Sequence, residues 1–197
     1  MDANLEFIVG GMANVISIDP GNIESAFYLP MCEIGEPLFG KMENEVFLTH
    51  IKGWMDSGDA MVIEQVACMG MAVGKHVFET VYWSGRFAQT AIDMGLSVER
   101  IKRHEVKTCL CANSRAKDSN IITAIVDIYD PDREFGKLGK GTKEKPGPFF
   151  GFSKDVWQAF ALYLTWESKR EGCTDISHLR KISTGPTNDL AKETKNA

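Results

Sequence analysis

Residues 15–29 read VISIDPGNIESAFYL. Val15 to Ile18 are mostly apolar and β-branched, Asp19-Pro20-Gly21 is turn chemistry, and apolar character resumes from Ser25 to Leu29. The stretch predicts two strands joined in a hairpin, with one carboxylate, Asp19, at the end of an apolar strand. Such an acid either starts the turn, for which Asp-Pro-Gly is well suited, or does chemistry at the margin of a core. The stretch alone leaves both open.

Outward from the hairpin, Glu45 to His50 reads as a weaker third strand, and AMVIEQV, residues 60–66, as a stronger fourth with Glu64 near its end. KHVFETVYWSGRFAQTAIDMG, from Lys75 to Gly95, carries Val77, Val81, Ala88 and Ile92 at helical spacing and stops at a glycine. Its aromatic residues Phe78, Tyr82, Trp83 and Phe87 are expected in the core, with a dimer interface as the competing role. SVERIKRHEVKTCL suggests a turn or helix start followed by a strand through Val106 and Leu110. KDSNIITAIVDIYD sets Ile121, Ile122, Ile125, Val126 and Tyr129 on one helical face, with Asp118 or Ser119 placed to cap it. Residues 130–151, rich in Gly, Pro and Lys, predict a long mobile loop that supplies no core. After Ser153, a fitting N-cap, helical spacing returns with Val156, Phe160 and Leu164 inward and Asp155 in the first turn. The order predicts an α/β fold: a mixed five-stranded sheet with helices on both faces.

The 197 residues, 44% of them hydrophobic, suffice for one core. We expect a single domain over residues 1–171 and a polar, disordered tail over 172–197. No run of about 18 uncharged apolar residues occurs, and the N-terminus MDANLEFIVGGM has acids where an export signal has basic residues. A soluble cytoplasmic protein without a membrane partner is expected. The cysteines Cys32, Cys68, Cys109, Cys111 and Cys173 have no zinc-like spacing and read as small buried hydrophobes in a reducing compartment. The net charge of −5 hides an asymmetry: residues 1–99 hold 4 Lys+Arg against 14 Asp+Glu, residues 100–197 hold 18 against 13. The second half therefore retains material for a basic surface.

Asp19, Glu64 and Asp155 each stand at an element end. An acid within MVIEQVA is rarely left unpaired, whereas Asp155 also suits a helix dipole. If the first and fourth strands are neighbours, Asp19 and Glu64 face each other and repel unless a proton or cation intervenes. A hard cation such as Mg²⁺, which takes oxygen ligands, meets that need.

ISIDPGNIESAFYL, VIEQVACMGMAVGKHVFETVYWSGRF, HEVKTCLCANSRAKDSNIITAIVDIY and SKDVWQAFALYLT, in this order, resemble the RuvC family of Holliday-junction resolvases, especially bacteriophage short forms. The resemblance spans about residues 13–167 and implies a ribonuclease-H-like fold. It implies that Asp19, Glu64 and Asp155 bind two Mg²⁺ ions, for which Mn²⁺ substitutes, and that Lys107 and Lys117, extended by Arg115, hold DNA phosphates. It further implies a homodimer that cuts four-way junctions and other branched DNA, leaving 5′-phosphate and 3′-hydroxyl ends. The chain departs from the family at Gln158, where bacterial members often have a second helix acid, and at Ala67, where they often have an aromatic. The fourth metal ligand thus stays open between Gln158, Asp118 and water. The competing reading is a branched-DNA-binding protein with a degraded metal site. An actin-like ATPase needs a second glycine-rich phosphate loop, and no convincing one is present.

Overall fold

The computed structural model describes residues 15–30, 37–67 and 73–173. The expectations about the first 12 residues, Cys32, Cys68 and nearly all of the C-terminal tail lie outside these. Five strands, β1 (Val15–Asp19), β2 (Glu24–Leu29), β3 (Leu38–Glu43), β4 (Ala60–Gln65) and β5 (Ser97–Lys102), form one sheet in the order β3-β2-β1-β4-β5. The β1–β2 and β2–β3 pairs are antiparallel, and β1–β4 and β4–β5 are parallel. The mixed sheet with helices on both faces is as expected.

Strict alternation divides the sheet between two cores. Ile16, Ile18, Phe27, Met61 and Ile63 pack with Phe47, Ile51 and Phe87 of α1 (Asn44–Trp54) and α2 (Lys75–Asp93). Val15, Ala26, Tyr28, Val62 and Ile101 pack on the opposite face. There they meet α3 (Arg103–Cys111), α4 (Asp118–Tyr129) and α5 (Lys154–Arg170). Helix α5 is buried continuously from Val156 to Leu162. It is a central rod rather than the one-sided helix that Val156, Phe160 and Leu164 suggest.

Four expectations are corrected. Residues 45–50 are not a strand: Asn44, Phe47, Leu48 and Ile51 repeat at helical spacing, and Glu43 caps the helix by accepting from the Val46 amide at 3.1 Å. The third strand is Leu38–Glu43 instead. The segment through Val106 and Leu110 is helical, because the strand comes first, over 97–102, and Glu105 Oε1 accepts from the Lys102 amide at 2.9 Å to open α3. On α2 the core positions are Phe87, Ala88 and Ala91; Val81, Ile92, Phe78 and Tyr82 are exposed, the last two at 63% and 59%. Residues 130–151 form the expected long loop, built of turns and mostly exposed, but it does supply core: Phe149 is fully buried against Trp157 at 4.6 Å between ring centroids and against Phe152 at 5.4 Å. The Asp130 carboxylate accepts from the Glu134 and Phe135 amides at 2.8 and 3.1 Å. Gly147 lies so close to Gly139 O that a Cβ would meet it at 2.4 Å, so the turn closes only around glycine.

Candidate active site at the strand ends

Ser17 Oγ donates to the Ala159 carbonyl of α5 at 2.8 Å, which fixes the face that odd-numbered β1 residues present. Asp19, two residues on, therefore faces α5. Val62 lies in the α5-side core, so Glu64 shares that face. The Ile18–Ile63 register sets Asp19 beside Glu64 at the carboxyl ends of two parallel strands, the place where open α/β sheets bind ligands. Asp155 enters from the first turn of α5, which Ser153 caps by accepting from the Val156 amide.

The Asp-Pro-Gly turn is held from beneath. Asn44, fully buried, accepts from Ser25 Oγ at 2.7 Å and donates to the Gly21 carbonyl at 3.1 Å, while the Gly21 amide donates to Ser25 Oγ at 3.1 Å. A Cβ at Gly21 would lie 2.2 Å from Glu24 O, so the residue must be glycine. This framework fixes Asp19, which borders an open cleft of about 440 Å³ with Gly21, Glu24, Lys41 and Asp155.

Burial, then the charges of Glu64, Asp155 and Asp118, push the Asp19 carboxyl up to about 7, with the Arg103 guanidinium opposing. Burial also raises Glu64 above the usual carboxylate range, again against Arg103. Two cations answer the acids. Arg103 bridges Glu64 at 3.3 Å and Asp118 at 2.8 Å. Lys41 bridges Asp155 at 3.0 Å and Glu24 at 3.4 Å, and its hydrogen bond to Asp155 raises the ammonium's pKa. Among the described residues, no group of three or more His, Cys, Asp or Glu side chains is arranged to hold a metal ion.

The donor chemistry nonetheless fits a hard divalent cation. Asp19 is crowded by negative charge, the relief of which calls for positive charge or a proton. One turn from Asp155, the buried Gln158 has an Oε1 with no hydrogen-bond partner among the described residues. An unsatisfied buried amide oxygen is uncommon and is itself a neutral oxygen donor.

Among the sequence-predicted basic residues, Lys107 lies close enough to the site to lower the pKa of both Glu64 and Asp118 by its charge. Arg115 and Lys117 are exposed and border a separate cleft at the start of α4, with Ser119 and Asn120. Asp118 is the first residue of α4 rather than its cap, and its carboxyl is held low by the Arg103 hydrogen bond and charge despite partial burial. Ala67 is exposed beyond β4. Arg103 and Lys41 were missed from sequence. Lys41 belongs to the unrecognised β3, where alternation after Phe39 aims it at α5. Arg103 follows a strand whose Ile101 pairs with Glu64, a register visible only once 97–102 is read as that strand.

No protein-family model and no curated protein matches the chain. Among solved structures, Thermus thermophilus RuvC is similar at a TM-score of 0.54 and 15% identity, over 81% of this chain and 97% of that one. The structure of T. thermophilus RuvC in complex with Holliday junction substrate is similar at 0.53 and 14%, with the same coverage. At such identity the likeness is one of architecture: the mixed five-stranded sheet with helices on both faces is a ribonuclease-H-like fold.

Proposed function

We propose that the protein binds branched DNA, most plainly four-way junctions, at the strand-end face and cuts it in a Mg²⁺-dependent hydrolysis. The observation that carries this reading is Asp19: a carboxylate fixed by a buried network, raised to about 7, beside Glu64 and within the field of Asp155. Asp19, Glu64 and Asp155 hold the ions, with the unpartnered amide oxygen of Gln158 as a further donor. When bound, the metal supplies Lewis acidity and neutralises charge at the phosphate. The protein's own residues orient the strand: Lys107 beside the acids and Lys117 and Arg115 at the α4 cleft pair with phosphates, sequence-independently. Two opposed cuts need two-fold symmetry, and the exposed apolar stripe of Phe78, Val81 and Tyr82 on α2 is the surface on which a second copy sits.

Binding without cutting, at a degraded metal site, is the second reading, and it has the better support from the side-chain arrangement. The engagement of Glu64 and Asp155 by Arg103 and Lys41, and the lack of three converging ligands among the described residues, favour it. A panel of labelled junction, fork, flap and duplex with Mg²⁺ or Mn²⁺ separates the two. Cleavage of the junction that is lost in Asp19→Asn, with binding retained, supports the nuclease. Junction binding with no cut under either ion establishes the binder, and absence of both rejects the whole reading.

A further inference from the structure

Arg103 is the first residue of α3, and its side chain is only 25% exposed. One nitrogen reaches Glu64, the less exposed acid, at 3.3 Å; the other reaches Asp118 at 2.8 Å. The two links are unequal. A charge-assisted bond of 2.8 Å is close to ideal, whereas 3.3 Å is loose. Lys107 acts on both acids, so the asymmetry lies in the bond lengths and not in the surrounding charge.

From this asymmetry we infer that Arg103 is a built-in competitor for the divalent ion, kept beside the site by Asp118. The guanidinium partners Glu64 when no metal does. A divalent ion at Glu64 repels it, and it withdraws along its stronger bond to Asp118. Asp118 is on this account a tether for Arg103 and not the missing fourth ligand. The inference rests on the metal-site reading above, and it assigns Arg103 the role of a positioning residue that sets how tightly the ion is held.

The test is calorimetric titration of the full chain with Mn²⁺ alone, without DNA. Arg103→Gln is expected to tighten Mn²⁺ binding roughly tenfold, within the usual range for coupled sites. A merely structural arginine gives the opposite sign, because its loss loosens the site. Asp118→Asn is expected to weaken Mn²⁺ binding severalfold in the wild-type background, since the untethered guanidinium then rests on Glu64, and to have little further effect once Arg103 is glutamine. A ligand role for Asp118 predicts an equal loss in both backgrounds and overturns the inference, as does unchanged or weaker binding by Arg103→Gln. Should the glutamine variant fail to fold, Arg103→Met, which also removes the charge and keeps an unbranched side chain, replaces it in the same cycle. Mn²⁺ binding by neither the wild type nor the Arg103 variants rejects the metal site itself. Equal binding by both rejects only the competitor.

Discussion

Asp19 is a residue whose protonation is written into the stability of the whole chain. Its carboxyl titrates at about 7 in the folded protein against 3.8 as a free side chain, so the folded state holds the extra proton between those values. Stability without metal is therefore highest below about pH 4 as far as this group is concerned. It falls as pH rises from there through 7, by on the order of 4 kcal/mol. Thermal melts of metal-free protein from pH 5 to pH 8.5 are expected to show this decline. Asp19→Asn, neutral throughout, flattens the decline and leaves the variant more stable than wild type at pH 8.5. A divalent ion needs the ionised form, so the Tm gain from Mg²⁺ is expected to be larger at pH 8 than at pH 5.5. Equal gains at both pH values would show that Asp19 is not a ligand.

Among the elements, the segment between α4 and α5 most changes how the site is supported. Phe149 and Phe152 wedge into the aromatic cluster with Trp157 and Phe160, directly before the turn that carries Asp155. Phe149→Ala is expected to cost about 3–5 kcal/mol, as other buried Phe truncations do, read as a lower midpoint in urea unfolding. A loss under about 1 kcal/mol would return the segment to a loose loop. The same segment marks where sequence reading stops. Its glycines and lysines were visible, but the burial of Phe149 depends on Trp157 and Phe160 arriving from a separate helix. The hairpin, β4, α4 and α5 were legible because alternation or helical spacing persisted over enough residues. Helix α1 is hard to read because EVFLTH is too short a window to separate Phe47 and Leu48 at helical spacing from a strand. A strand placed there displaces β3 and hides Lys41. Asp19, Glu64 and Asp155 were legible as acids at element ends. Their counter-ions were not, because Lys41 and Arg103 acquire partners only through register.

For the whole molecule, the proposed function draws on two separate faces. The strand-end face carries the acids with Lys107, and the outer side of α2 carries exposed Phe78, Val81 and Tyr82. Replacing Phe78 and Tyr82 together by Asp is expected to leave the fold intact, because neither is core. Sedimentation is expected to shift from dimer to monomer, and junction cleavage to shift from paired cuts to single nicks. An unchanged sedimentation coefficient would remove α2 as the seam. Junction affinity is expected to fall linearly on a log–log plot against salt. Replacing Lys107 and Lys117 by Ala lowers that slope by about 2, one for each phosphate left without its lysine. The alternation of β1 and β4 has one more consequence. It stores the position of each carboxylate as a count from the strand start, so exchanging Ile16 or Val62 for another apolar residue preserves the address while deleting either one reverses it. Under that constraint the letters can differ almost everywhere while the count is kept, so a structure only 15% identical can still share the shape.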